Sequence, residues 1–174
     1  HELTVRPARP DDIPGLVASS AGLFAEDAGT RDPSVDVDWP LRHGAESFAA
    51  ALADPARLVL TVDHGGEVVG HLTGTLTEPS SVRPVKSATL NALYVLPAHR
   101  RSRVGGRLVA EFLAWAEGQG ATQAEVAAYA ANRDAIRFYE RQGFAAHAVT
   151  LRSGLGRKTE VESAANGQTD AVSR

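Results

Sequence analysis

Hydrophobic and polar positions along the chain predict a run of strands followed by alternating helices and strands. Segments rich in valine, threonine and leucine, with apolar residues at every second position, are typical of strands, whereas a period near 3.6 indicates helices. The predicted strands are residues 3–6, 57–63, 68–77, 87–95, 123–129 and 144–151. Helices are predicted after residues 10–12, around Phe48, after the basic turn at residues 101–106 and over residues 132–142.

The order of these elements predicts a single α/β domain built on a mixed sheet. His64-Gly65-Gly66-Glu67 is typical of a hairpin turn, so the early strands should pair antiparallel. The later strand–helix–strand half predicts helices on the faces of the sheet. Glycine and proline interrupt the periodicity over residues 26–40, where we expect a loop or a distorted helix. We expect the domain to cover residues 2–152 and the polar tail, residues 153–174, to be disordered.

Composition limits the function classes that remain. The 174 residues are enough for one domain with its own core, and a net charge of -3 argues against broad affinity for nucleic acid or anionic membranes. The chain has no cysteine, which excludes disulfides, thiolate metal ligands and a cysteine nucleophile, and no metal site is predicted. No apolar run approaches twenty residues and no leader pattern is visible. We therefore expect a cytoplasmic protein, either a monomer or a homodimer, that acts on a small molecule.

A basic turn between a predicted strand and a predicted helix is the first candidate site. Residues 93–108 run from an apolar strand through four arginines and two glycines into an amphipathic helix. The first N–H groups of a helix lack backbone partners and carry partial positive charge, so such a turn can bind a phosphate. Neither the nucleotide phosphate-loop spacing nor the dinucleotide spacing of glycines is present. The expected ligand is a phosphorylated cofactor, and the alternative is a solvated arginine cluster.

A second motif lies in the last predicted helix, at residues 132–144. Asn132 and Tyr139 lie two turns apart on one helical face, and the small Ala135 between them would let a ligand approach closely. A purely structural interpretation remains open, in which Asn132 caps the helix and Gly143 ends it with a positive φ.

In this order, the two motifs resemble those of the GCN5-related N-acetyltransferase (GNAT) family. Its signatures are Arg/Gln-x-x-Gly-x-Gly/Ala and Asn-x-x-Ala-x-x-Phe-Tyr-x-x-x-Gly-Phe, which appear here at residues 101–106 and 132–144. The element order agrees from residue 3 to residue 151. The resemblance implies a sheet of about six or seven strands with about four flanking helices. It also implies transfer of an acetyl group from acetyl-CoA to a primary amine by direct attack in a ternary complex.

The resemblance also implies roles for individual residues. Tyr139 would be the general acid that protonates the leaving thiolate. A backbone N–H near residues 93–95 would polarise the thioester carbonyl. The implied cofactor-binding residues are Leu93, Tyr94, Val95, Arg100, Arg101, Ser102, Arg103, Val104, Gly105, Gly106, Arg107, Asn132 and Ala135.

Two positions depart from the family pattern. Val104 stands where a glycine is usual three residues after Arg101, and Asn91 stands where many relatives have a glutamate general base. An amide cannot accept a proton at neutral pH. The base is therefore a water chain or one of His71, Glu26 and Asp27.

An acidic window in the early loop is the candidate acceptor site. The predicted substrate-binding residues are Glu26, Asp27, Asp32, Asp36, Asp38 and Trp39. Such a wall would favour a polycation, and aminoglycoside-type antibiotics are the acceptor class that we expect first. A solvated surface loop is the structural alternative. Polyamines, amino-acid-like amines and protein amino groups remain open as acceptors, and so does a non-catalytic acyl-CoA sensor.

Overall fold

The computed structural model describes residues 2–156, and all of its helices and strands lie within residues 2–144. One five-stranded sheet has its strands in chain order. The strands are β1 (Leu3–Pro7), β2 (Arg57–His64), β3 (Glu67–Thr77), β4 (Ser87–Val95) and β5 (Gln123–Val126). Neighbouring strands from β1 to β4 pair antiparallel, whereas β5 pairs parallel with β4.

Two groups of helices cover the sheet. The helices are α1 (Ile13–Leu23), α2 (Gly29–Arg31), α3 (Trp39–Leu52), α4 (Val104–Gly118) and α5 (Arg133–Arg141). A π-helical turn (Phe24–Ala28) continues α1 into α2, which confirms the distorted helix expected there. A 3₁₀ turn (Pro97–Ser102) connects β4 to α4. The crossover through α4 places β5 beside β4 and parallel to it, the arrangement of a strand–helix–strand unit.

The sheet separates two hydrophobic clusters because successive strand residues point to opposite faces. Leu60 and Val62 on β2 pack with Phe112 of α4, whereas Val59 packs with Leu16 of α1 and with α3. The β2–β3 hairpin turns through Gly65 and Gly66, which both have positive φ, as type I′ turns require. The predicted mixed α/β fold is confirmed.

The predicted sixth strand, residues 144–151, is wrong. Residues 145–156 form a separate unit without a helix or strand, and their side chains are exposed. Three of the residues from 145 to 148 are alanines, whose small side chains offer little apolar surface to bury in a strand pair. The described residues therefore form five strands, fewer than the expected six or seven.

Two further boundaries differ from the prediction or lie beyond it. Strand β5 ends at Val126 instead of residue 129. The polar tail predicted to be disordered lies mostly outside the described residues, since these end at residue 156. Within residues 2–156, no helix combines the length and the apolar character that crossing a membrane demands.

Candidate active site

Strand β4 carries a bulge at Asn91. Thr73 on β3 lies opposite Ala92 and Gly74 lies opposite Leu90, so Asn91 is an extra residue on β4. Its side chain is exposed and accepts a hydrogen bond from the hydroxyl of Thr75 at 2.6 Å. Bulges of this kind bend a strand and change the direction of its remaining residues.

Strands β4 and β5 separate directly beyond this bulge. Their parallel pairing ends at Leu90 and Val126, and a cleft of about 150 Å³ opens between the two strands. The sheet lines it with residues 90–93 and 126–128. The helical segments contribute the remaining lining residues, which are Leu23, Glu26, Asp27, Arg31, Asn132, Ala135 and Tyr139. Leu93 on β4, three residues of the motif at 132–144 and two of the acidic window therefore meet at one cleft, whereas residues 101–106 lie outside its lining.

The edge of β4 presents backbone groups to this cleft. The N–H of Leu96 donates to the carbonyl of Val69 on β3 at 2.9 Å. Because backbone groups alternate in direction along a strand, those of Leu93 and Val95 point away from β3, toward the side of the cleft. The carbonyl of Val95 accepts a hydrogen bond from Nε of Arg100 at 2.7 Å. An extended ligand could thus pair with Leu93 as an added strand.

The turn before α4 corrects the position of the motif. Arg103 has φ +66° and ψ 12°, and within residues 2–156 it is the only residue other than glycine with a positive φ. Val104 begins α4 with its side chain fully buried in the core. The glycine that the family pattern expects therefore corresponds to Arg103, and the motif runs from Arg100 to Gly105. The departure assigned to Val104 from the sequence was misplaced by one residue.

The start of α4 fits a phosphate group. Helix α4 has fifteen residues and no acidic side chain in its first turn, so its first N–H groups offer an uncompensated positive end. Arg101 and Arg103 are exposed and form no ion pair within residues 2–156. Arg107 instead donates to the carbonyl of Leu3 on β1 at 3.1 Å. Two of the four arginines in the turn are thus placed to bind phosphate.

Arg100 connects this turn to the helical segment that follows α1. One guanidinium nitrogen lies 2.6 Å from Oε2 of Glu26, and the guanidinium carbon lies 5.3 Å from the centre of the Tyr94 ring. The hydrogen bond from Arg100 is the main reason that the pKa of Glu26 is lowered, and the nearby Tyr94 hydroxyl lowers this pKa further. The Tyr94 ring is buried against Gly22, where an added Cβ would lie 2.9 Å from the hydroxyl oxygen. The side chain of Tyr94 therefore packs between α1 and Arg100, and Tyr94 does not line the cleft.

Helix α5 supplies the wall across from Glu26 and Asp27. Asn132 caps the helix, with Oδ1 accepting from the N–H of Ala135 at 3.1 Å, and its Nδ2 donates to Oδ1 of Asp27 at 3.2 Å. Tyr139 lies two turns later, and its ring packs edge-on against Phe144 with centroids 5.8 Å apart. Burial, with a contribution from the charge of Asp27, raises the pKa of Tyr139 to about 12. The phenol therefore keeps its proton at neutral pH.

His71 lies outside the cleft. It is fully buried on β3, with Nδ1 2.6 Å from the hydroxyl oxygen of Ser19 and its ring edge-on to Phe48. Burial lowers the pKa of His71 to about 4, so the imidazole is neutral. The structure provides no route by which it could serve as the base.

Most of the acidic window also lies outside the cleft lining. Asp32 is buried and accepts hydrogen bonds from the N–H and hydroxyl of Ser34 and from the hydroxyl of Tyr129. Asp36 pairs with Arg42 and accepts from the N–H of Asp38.

Trp39 stacks on Phe24 with ring centroids 6.2 Å apart and does not line the cleft either. Of the six predicted acceptor residues, Glu26 and Asp27 line the cleft. Arg31 also lines it and was missed from the sequence, although its i,i+4 spacing from Asp27 is a recognisable ion-pair signal.

Comparison with known proteins agrees with this geometry. Residues 25–144 match the model of the Acetyltransferase (GNAT) family. An uncharacterized N-acetyltransferase of Mycobacterium bovis is 32% identical over 97 residues, which are 56% of this chain and 58% of that protein. A Mycobacterium tuberculosis protein described in the same words matches equally. The match thus spans less than two thirds of the length of these relatives.

Solved structures share the fold at lower identity. A transcriptional regulator from Bacillus halodurans has a TM-score of 0.71 and 24% identity, with 88% of this chain and 100% of that chain covered. An aminoglycoside 6′-N-acetyltransferase from Acinetobacter baumannii has a TM-score of 0.65 and 17% identity, with 89% and 100% covered. The family match covers well over half of the chain, and it includes the turn before α4 and helix α5. This protein therefore belongs to the GNAT family of acetyltransferases.

Proposed function

We propose that this protein transfers the acetyl group of acetyl-CoA to a primary amine of a small cationic acceptor, by direct attack in a ternary complex. The observation that carries the proposal is the cleft between β4 and β5. A strand edge that can pair with an extended ligand, a protonated phenol and two carboxylates line this cleft. The phosphate-compatible start of α4 lies outside the lining, and Arg100 of the preceding turn connects to the cleft through Glu26.

On the donor side, each group of residues has a distinct task. The first N–H groups of α4, with Gly105 and Gly106, hold the pyrophosphate, and Arg101 and Arg103 add charge-assisted contacts. The backbone of Leu93 pairs with the pantetheine arm, and its N–H polarises the thioester carbonyl. Asn132 and Ala135 border the same arm from α5. Acetyl-CoA supplies the activated acyl group.

Tyr139 is the general acid in this proposal. An ordinary thiol has a pKa of about 8.5, so a thiolate is a weaker base than the Tyr139 phenolate, whose conjugate acid has a pKa of about 12. Proton transfer from Tyr139 is therefore uphill and must be driven by position and by rapid reprotonation of the phenolate. Its place on the cleft wall, two turns from Asn132, provides that position.

The acceptor class is argued from charge. Glu26 and Asp27 line the cleft and would attract an ammonium group, while Arg100 and Arg31 compensate part of their charge. An aminoglycoside-type acceptor is consistent with this, and one structural neighbour is an aminoglycoside 6′-N-acetyltransferase. Polyamines and amino-acid-like amines present the same ammonium group and remain in the acceptor set.

The experiment is a thiol-release assay. The protein is incubated with acetyl-CoA and a panel of aminoglycosides, polyamines, amino acids and simple monoamines, and free CoA is measured while calorimetry follows CoA binding. We expect amine-dependent thiol release together with a mass increase of one acetyl group on the acceptor. CoA binding without thiol release across the panel would favour a non-catalytic sensor, for which Asn91 in place of a glutamate is the supporting observation.

A further inference from the structure

We propose that Asp27 is the catalytic residue that holds the ammonium group of the acceptor and takes its proton. This inference rests on the proposed acetyl transfer and assigns the general base, which the motifs leave undetermined. Among the side chains that line the cleft, the group able to take this proton is a carboxylate that still has an oxygen available to the entering amine.

The carboxylate of Glu26 already has a structural partner in Arg100. Its Oε2 lies 2.6 Å from a guanidinium nitrogen of Arg100, and the Tyr94 hydroxyl also helps to lower the pKa of this carboxyl. Removing this carboxylate from Arg100 would release the brace between the turn before α4 and the π-helical turn. Asn91, at the bulge, is an amide and cannot accept a proton.

Asp27 is held by one oxygen only. Nη1 of Arg31 at 2.9 Å and Nδ2 of Asn132 at 3.2 Å both donate to Oδ1. Within residues 2–156, Oδ2 accepts no hydrogen bond, and the side chain is 29% exposed where it lines the cleft. Two donors on Oδ1 fix the carboxylate in place and leave Oδ2 able to accept a hydrogen bond from an entering ammonium group.

The side chains of Asp27 and Tyr139 would both lie next to an acceptor bound in the cleft. Both line the cleft, and the charge of Asp27 contributes to the raised pKa of Tyr139, as expected for groups near one another. The ionisable residues in the cleft lining are Glu26, Asp27, Arg31 and Tyr139. An acceptor that occupies the cleft therefore has a carboxylate for its nitrogen and a phenol for the leaving sulfur.

With Asp27 as the base and Tyr139 as the acid, every proton and electron pair in the reaction is accounted for. The ammonium gives one proton to Oδ2 of Asp27, which passes it to solvent, and the neutral amine forms the N–C bond at the thioester carbonyl. The C–S bond breaks, its electron pair stays on sulfur, and the thiolate takes the hydroxyl proton of Tyr139. The second proton lost by nitrogen returns the phenolate to phenol. One proton is released per amide formed, and no further reactant is needed.

The test compares Asp27→Asn with Asp36→Asn, a matched change at an exposed aspartate that does not line the cleft. The amide at position 27 keeps an Oδ1 acceptor for Arg31 and Asn132, so folding and the CoA dissociation constant should be unchanged. With an amine that the thiol-release assay identifies, we expect kcat/KM at pH 7 to fall about 100-fold for Asp27→Asn. Asp36→Asn should match the wild-type protein.

The pH profile separates a proton acceptor from a structural residue. Without Asp27 only amine already deprotonated in solution can react, so kcat/KM of Asp27→Asn should rise about tenfold per pH unit below the pKa of an alkylamine, about 10. The defect should therefore shrink toward pH 9. A constant defect across pH, or wild-type kinetics in Asp27→Asn, would overturn the assignment while leaving acetyl transfer standing. If no amine in the panel releases thiol from the wild-type protein, the proposed function fails and this inference fails with it.

Discussion

Arg100 and Glu26 form an ion pair, with nitrogen and oxygen 2.6 Å apart, that joins two segments 74 residues apart in sequence. The same arginine donates to the carbonyl of Val95 at the end of β4. The turn that would bind phosphate and the π-helical turn that carries both cleft carboxylates are thereby connected through one side chain.

This connection gives a first prediction. In Glu26→Gln, the stability should change by less than about 1 kcal/mol, because both partners are partly exposed and solvent screens the pair. The CoA dissociation constant should nevertheless rise severalfold, because the turn before α4 loses a brace. Calorimetry with CoA measures this, and Glu117→Gln, at the exposed end of α4, is the control. Equal affinities in the two variants would contradict the bracing role.

The left-handed backbone of Arg103 gives a second prediction. A side chain in this conformation costs roughly 1–2 kcal/mol, which glycine avoids, although glycine also loses more entropy on folding. Arg103→Gly should therefore be more stable than Arg103→Ala by up to about 1 kcal/mol in urea unfolding. Both variants lose the same charge, so their CoA affinities should fall equally. An alanine variant as stable as the glycine variant would show that the turn relaxes away from positive φ.

Tyr139 gives a third prediction. Tyr139→Phe removes the proposed acid without changing the shape of the ring, so kcat should fall about 100-fold while the CoA dissociation constant stays nearly the same. Tyr129→Phe is the matched control, because Tyr129 bonds to Asp32 and does not line the cleft. Unaltered turnover in Tyr139→Phe would remove the residue from the mechanism.

The acidic window gives a fourth prediction. Because Asp36 and Asp38 do not line the cleft, the double variant Asp36→Asn/Asp38→Asn should keep the wild-type ratio of kcat/KM between a polyamine and a monoamine. The thiol-release assay at low salt measures this ratio. A selective loss of polyamine activity would instead show that Asp36 and Asp38 contribute to binding of the acceptor.

His71 gives a fifth prediction, which concerns stability. Its pKa is lowered to about 4 in the folded protein from an ordinary 6.5, so the unfolded chain binds the proton more tightly. The stabilisation is complete above pH 6.5 and is lost as the pH falls toward 4, by up to about 3 kcal/mol. Urea unfolding at several pH values should show this slope, and His71→Gln should lack it. His43→Gln, at an exposed position, should keep the slope.

Sequence periodicity correctly predicted the helices and strands that bury one face in the core. The strand at residues 87–95 and the helix that holds Phe112 agree with the structure because core residues recur at the spacing of each element. The strand predicted at residues 144–151 is wrong because its alanines would bury little apolar surface in a sheet and so would stabilise it little.

The sequence predicted only some features of the candidate site, whereas it predicted most of the fold. The motif at residues 132–144 predicted one wall of the cleft, since its helical spacing is local, whereas none of residues 101–106 lines the cleft. The register of the turn motif depends on the φ of Arg103, which no residue pattern reports. The five acidic residues are close in sequence but separate in space, since Glu26 and Asp27 lie on the π-helical turn and line the cleft, whereas Asp32 is buried against Ser34 and Tyr129.

Because Asn91 is an extra residue, the alternation of inward and outward side chains along β4 shifts by one position there. Ala88 and Leu90 belong to the α4 side of the sheet before the bulge, and Leu93 and Val95 belong to it afterwards, so inward positions change from even to odd numbers. Tyr94 can therefore reach the segment after α1 while its neighbours stay in the α4 core. Deleting this one residue would place Ala92 directly after Leu90, so the strand would alternate regularly with Leu93 on the same side of the sheet, and it would remove the bend where β4 and β5 separate.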